Sequence, residues 1–461
     1  MKQNRFVQAL LSLFLTFIGL SLPSTWAQEE IVEAKSDAQS LLAAGPLVGF
    51  GGIQEVTLWV QTKRPARVSF RYWPRGHSDQ AITSREIMTS FEGDLIGQLT
   101  LSGLPEGTRF TYALLINGAE VFRPYPLHFQ TQARWQRRTP PPDFAMAIGS
   151  CAYFNLDESD RYGGGEEIYE QIRAQNPDLM LWLGDNVYLG PEDWSSPEGI
   201  ARRYAVQRSQ PSLQALFGSV HQYAIWDDHD FGPNDGNRSF PLKGASLSTF
   251  KRYWPNPNYG VPELAGAFGT FSWSDVDFFL LDDRTFRAPP IEGRADRPML
   301  GDEQLNWVLD ALSGSRAPFK IVAVGSQVLN PYSRFEGYAQ HAQERDALIA
   351  GIKERKIEGV VFLSGDRHFA ELNRVANDPE FYPLYDFTSS PLTSGLASSV
   401  EDERANPRRV EGTLVSDRKN FGILRFSGSQ NARMLTLEAR DAQGALLWQR
   451  TIHASELTFS H

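Results

Sequence analysis

The sequence predicts an α/β fold preceded by an amino-terminal β-sandwich, and three observations carry that expectation. Between about Gly45 and Thr131, short alternating apolar and polar runs follow one another with Gly, Pro and Asn between them, the period-two pattern of half-buried strands. Beyond residue 143 the alternation gives way to short, continuously apolar runs, several separated by helical stretches, as expected of strands buried on both faces. At 461 residues the chain exceeds one ordinary core, so length alone asks for more than one domain.

At the amino terminus, Lys2 and Arg5 precede an apolar run over 6–22, which ends in Ser24-Thr25-Trp26-Ala27 before the acidic Glu29-Glu30. This pattern predicts a signal peptide over 1–27, cleaved after Ala27. The run is shorter than the ~20 residues a membrane span needs, and no later segment offers one, so no stable membrane anchor is expected. No paired arginines precede it, which points to the general secretory route and a periplasmic or secreted protein.

An immunoglobulin/fibronectin type III-like sandwich is expected over 44–132, with strands over 56–60, 66–72, 97–101 and 110–115. The segment 101–112 resembles the strand-turn-strand corner of fibronectin type III domains. A polar, proline-bearing linker over 134–143 follows. The second domain, 143–461, is expected to place strands at 144–148, 179–183, 222–226, 278–281, 321–324 and 360–363. Helices are expected over 166–175, 302–312 and 344–353. Strand-like runs over 421–426 and 433–440, then a hairpin through Gln443-Gly444 into 445–452, are expected to flank the core sheet.

With 45 basic and 55 acidic residues, the net charge is −10, and the basic residues are spread along the chain. No nucleic-acid stripe or anionic-membrane patch is evident. An anionic substrate therefore needs cations gathered locally, as metal or arginine. The lone cysteine, Cys151, is either an inert core thiol or a thiol in use, because an exported chain ordinarily pairs its cysteines.

The predicted core strands share one feature: each ends in polar, mostly metal-capable residues. These ends are Gly149-Ser150-Cys151, Gly184-Asp185-Asn186-Val187-Tyr188, Asp227-Asp228-His229-Asp230, Asp282-Asp283-Arg284, Gly325-Ser326-Gln327 and Gly365-Asp366-Arg367-His368. Ligands collect at strand carboxyl ends in α/β sheets. A single aspartate after a strand is commonly a turn residue or a helix cap. Three carboxylates within Asp227-Asp228-His229-Asp230 repel one another unless cations lie between them, so a metal site is the economical reading.

These motifs, together with Thr285-Phe286-Arg287 and Phe387-Thr388-Ser389-Ser390, resemble the PhoD-like alkaline phosphatases, a branch of the calcineurin-like metallophosphoesterases. The resemblance runs from about Gly45 to the carboxyl terminus. It implies a four-layer αββα core of two facing sheets clad by helices, and metal-dependent hydrolysis of a small phosphate ester. It places iron ligands on Cys151, Asp185, Tyr188 and His368, with Asp185 bridging to a second position held by Asp185, Asp228 and Asp366 and, as a weaker candidate, Gln327.

Ligand chemistry agrees with that division. A phenol ionises readily only against a strong Lewis acid, so thiolate, phenolate and imidazole suit ferric iron, whereas an all-oxygen set suits calcium. Arg284 and Arg287 are placed to chelate phosphate oxygens, or else to form salt bridges within the fold. His229 is expected to protonate the leaving alkoxide, as the corresponding superfamily histidine does. Asn186, Asp227, Asp230 and Asn420 are expected to support the ligands. Two rival readings are a phosphodiesterase or phospholipase-like hydrolase with the same metals, and a calcium-stiffened adhesin with no hydrolytic activity.

Overall fold

The structure, a computed structural model, describes residues 37–155, 160–289, 291, 293–332, 335–376, 378–397 and 405–459. The expected signal peptide lies outside the described residues.

Strands between residues 42 and 130 form two antiparallel sheets. One holds Leu42–Gly51, Glu55–Thr62 and Ile96–Ser102; the other is built around Arg67–Pro74 and Arg109–Ile116. Alternate residues of the central strands, Val56, Leu58 and Val60 against Val68, Phe70, Tyr112 and Leu114, enclose a common apolar core, as the period-two pattern requires.

The remainder is a helix–sheet–sheet–helix sandwich. The first sheet runs in the order His221–Ile225, Leu179–Leu183, Phe144–Gly149, Asn420–Ser427, Met434–Asp441, Leu446–His453. Its first three strands are parallel and the last three antiparallel. The terminal strands were expected to flank the core; they are half of this sheet, because Asn420–Ser427 pairs directly with Phe144–Gly149.

The second sheet runs Gly269–Trp273, Val276–Leu280, Phe319–Ala323, Val360–Ser364, Leu384–Thr388, Glu371–Val375, with its four inner strands parallel. Met146, Ile148, Leu181 and Leu183 meet Phe278, Leu280 and Ile321 between the two sheets. Ile168, Tyr169 and Ile172 of the helix Ile168–Ala174 cover the outer face of the first sheet, where Met180 and Trp182 project. The helices Asp302–Gly314 and Ala342–Glu354 clad the second through Val308, Leu312, Leu348 and Ile352. The helix Pro197–Arg208 starts where Ser196 accepts the Gly199 amide at 3.0 Å and Pro197 presets the first turn.

The β-sandwich docks on the outer side of the first sheet, towards the amino ends of its strands. Trp59 and Leu47 join the Trp182 cluster, the Gly51 amide donates to the Tyr223 hydroxyl (3.1 Å), and His221 Nδ1 meets Gly49 O at 2.8 Å. The carboxyl ends of these strands, where the chemistry-bearing residues follow, face the other way.

Candidate metal centre

Three neighbouring parallel strands of the first sheet deliver Cys151, Asp185 and Asp228 just past their carboxyl ends, and Val360–Ser364 of the second sheet delivers Asp366 and His368 from across the sandwich. Glycine lets these ends touch. A Cβ on Gly184 (φ +91°) would stand 2.6 Å from Asp227 Cβ, and one on Gly365 would stand 2.5 Å from Leu183 O. Beyond them, Cys151, Asp185, Asp366 and His368 all adopt left-handed φ, at 58°, 52°, 64° and 57°. Such conformations cost about 1–3 kcal/mol each and persist where the surrounding structure enforces them, characteristically at functional sites.

The side chains converge. Cys151 Sγ lies 3.5 Å from Asp185 Oδ2, and the Tyr188 hydroxyl lies 3.4 Å from the same oxygen and 3.3 Å from His368 Nε2. Donor atoms of Cys151, Asp185 and His368 fall within 4.8 Å of one another, as do those of Asp185, Asp228 and His229, and those of Asp227, Asp228 and Glu336. Asp185 belongs to the first two groups and Asp228 to the last two, so the groups form one continuous cluster with Asp185 at a bridging point.

The electrostatics favour a cation. Burial, reinforced by Asp228, Cys151 and Asp366, drives the Asp185 carboxyl well above its ordinary range. Burial also opposes the charge on Asp228, but His229, Arg284 and the Asp235 amide outweigh it, and a hydrogen bond to Asp185 pulls it further down. Burial and the nearby Asp366 push the Cys151 thiol up to about 12, and burial with Cys151 and Asp185 pushes the Tyr188 phenol well up. Burial lowers His368 to about 4, leaving a neutral imidazole, the form that ligates metal. A multivalent cation among these groups replaces the protons that burial alone retains. The donor set therefore fits the implied metals.

Asp366 adjoins the cluster through its backbone carbonyl, 3.5 Å from Cys151 Sγ, but its carboxylate is in none of these three groups; burial, opposed by Arg367 and reinforced by Asp228 and Glu336, raises that carboxyl to about 7. His229 stacks on Tyr188 with ring centroids 4.2 Å apart, its amide reaches Asp185 Oδ1 at 3.3 Å, and its Nδ1 is buried without a partner.

Other expected residues take different positions. Gln327 is not joined to the cluster: its amide nitrogen donates to Glu371 (2.9 Å) and Thr388 (2.7 Å), and its oxygen accepts from Asn330 (2.8 Å). That network orients Gln327 by both ends of its amide. Arg284 and Arg287 are fully buried, and both pair with Glu336, Arg284 also with Asp227. Arg284 takes the salt-bridge alternative, compensating Asp227 and Glu336, whereas Arg287 pairs with Glu336 and keeps its buried Nε and Nη2 without a hydrogen-bond partner.

Asp282 and Asp283 likewise serve the fold: Asp282 accepts from Trp226, Ala267 and Thr285, and Asp283 from Ser326. Asp230 holds the Asn186 and Asp227 amides, and Asn420 donates to Ser390 O.

Sequence reasoning missed Glu336, which sits in a loop with no strand before it, and Ser390, whose hydroxyl donates to Cys151 Sγ at 3.1 Å. Ser390 carried a signal, since it lies in the quoted Phe387-Thr388-Ser389-Ser390 motif.

Comparison with known proteins agrees with this geometry. A family model described as PhoD-like phosphatase matches residues 145–441, and one for a domain of unknown function, DUF7800, matches residues 39–134. Alkaline phosphatase D of Bacillus subtilis (strain 168) is 24% identical over 323 residues, covering 58% of this chain and 54% of that protein, so the chain spans about half the length of this curated relative. A solved structure of PhoD superposes with a TM-score of 0.75 at 16% identity, over 92% of each chain. A purple acid phosphatase from yellow lupin (Lupinus luteus) seeds gives 0.60 at 13% identity, over 88% of this chain and 74% of its own. At such identities the two structures speak for the fold. Because the family match runs through every strand end that builds the cluster, the chain belongs to the PhoD-like phosphatase family.

Proposed function

We propose that the chain hydrolyses small phosphate esters outside the cytoplasm, using ferric iron held by Cys151, Asp185, Tyr188 and His368 and calcium held by Asp185, Asp228 and Asp366. The observation that carries this reading is the meeting of thiol and phenol at 3.5 and 3.4 Å from Asp185 Oδ2, with the His368 imidazole 3.3 Å from that phenol, a donor set that suits a metal. Bound metals supply charge neutralisation of the phosphate and acidification of a water.

The chain's own residues supply the rest. Asp185 spans both positions and fixes their spacing, and the Asp235 amide holds Asp228 Oδ2 at 2.7 Å so that its carboxylate stays aimed. His229, with Nδ1 unpartnered beside the cluster, delivers a proton to the leaving alkoxide. Arg284, locked between Asp227 and Glu336, opposes the rise that burial forces on the Asp227 carboxyl. Export rests on the leader-like pattern over 1–27, and no described helix is long and apolar enough to cross a membrane.

The test is hydrolysis of a monoester and a diester of one chromogenic alcohol, before and after chelation. Release of the alcohol, abolished by chelator and restored by metal, supports the reading, and the ratio of the two rates sets the ester preference. No release from either ester by metal-replete protein overturns it.

A further inference from the structure

We propose that Tyr162 is a positioning residue that holds the His368 imidazole in register with the metal cluster; the inference rests on His368 being a ligand. The Tyr162 hydroxyl lies 3.3 Å from His368 Nδ1, while the opposite nitrogen, Nε2, faces Tyr188 at 3.3 Å and Ser394 at 3.4 Å. An imidazole bound through one nitrogen carries its proton on the other and keeps rotational freedom about the ligand bond. A hydrogen bond from that N–H to the Tyr162 oxygen removes this freedom, and such partners are worth roughly 10–100-fold in metal affinity or activity.

The Tyr162 ring is itself held. Tyr153 packs edge-on against it at 4.9 Å and, on its other side, edge-on against Tyr188 at 5.1 Å. Beneath it lies Gly395, where a Cβ would stand 2.7 Å from the Tyr162 ring, and whose backbone also hydrogen-bonds the His368 imidazole. Tyrosine ring, glycine and imidazole thus form one closed bracket, and any larger residue at 395 pushes the tyrosine out of it. Tyr162 remains 46% exposed, so burial of its ring does not explain its placement, whereas the hydrogen bond does.

Tyr162→Phe keeps the ring and removes the hydroxyl, and Gly395→Ala displaces the ring while keeping the hydroxyl. Three readouts apply: time for chelator to strip the metals, the kcat-against-KM split on a chromogenic monoester, and the imidazole nitrogen chemical shifts of His368 in metal-free, histidine-labelled protein. Both variants are expected to lose metal about 10–100-fold faster and to lower kcat with KM unchanged. Both should also move the metal-free His368 Nδ1 resonance away from its wild-type position, with the melting temperature preserved in Tyr162→Phe. Wild-type metal retention and wild-type His368 shifts in Tyr162→Phe overturn the proposal, as does a rise in KM alone, which would make Tyr162 a substrate contact. His368→Ala separates the levels: if it keeps full metal and activity, the metal-centre reading itself fails. If it loses them while Tyr162→Phe does not, only this inference fails.

Discussion

At the scale of single residues, burial pushes the Asp185 carboxyl, the Cys151 thiol and the Tyr188 phenol towards their neutral forms, and on the proposed function a cation would displace those protons. The Cys151 thiol, near 12 without metal, becomes a thiolate ligand only when a bound cation displaces its proton to solvent, so metal uptake should strengthen as pH rises. Ferric iron against the Tyr188 phenolate should give a visible charge-transfer band. Tyr188→Phe is expected to abolish that band, and Cys151→Ser to lower iron occupancy by elemental analysis; unchanged colour and metal content would return both residues to the core.

Arg284 offers a second test, since removing it leaves Asp227 buried without its cation, while Glu336 keeps Arg287. Arg284→Met should cost roughly 3–5 kcal/mol in urea unfolding, and a loss under about 1 kcal/mol would contradict the pairing. Cys151, Asp185 and Asp228 were legible in the sequence because residue type and strand-end position coincide. The fate of Arg284 was not, because its partner Glu336 lies in a loop whose approach only the folded chain determines. Gln327 misled for the same reason, as Glu371 and Thr388 come to it from other strands.

At the scale of elements, the continuously apolar strands were legible nearly to the residue, Leu179–Leu183 being an example. The antiparallel edge strands Gly269–Trp273 and Glu371–Val375 were not, because alternating or polar composition at a sheet edge reads as a loop. Partition of the strands between two sheets was likewise hidden, since pairing is non-local; the family resemblance supplied it.

Gly184 ties element to site. Gly184→Ala places a methyl against Asp227 at a left-handed position, and should destabilise the fold by about 1–3 kcal/mol while lowering metal occupancy. Wild-type occupancy would show that the strand-end contact does not position Asp185.

His221, between the β-sandwich and the first sheet, gives a pH prediction. Burial lowers its pKa from 6.5 to about 4 in the fold, so its contribution is complete above 6.5 and lost as pH falls towards 4. Between those limits the wild type should lose on the order of 3 kcal/mol more than His221→Gln in urea unfolding. Parallel pH dependences of the two proteins would contradict this.

At the scale of the molecule, a chain of net charge −10 concentrates thiol, phenol, imidazole and carboxylates at one end of a double sheet, with the β-sandwich packed at the other. No residue of the sandwich enters the described cluster, consistent with a scaffold. The mean field of such a protein repels a phosphate ester, so the proposed reaction would need cations at the strand ends. Elemental analysis of the protein purified without chelator, paired with its hydrolysis rate, tests this most directly. The account predicts iron and calcium bound at the cluster, lost together with activity on chelation and restored with it; a fully active protein free of bound metal would contradict it.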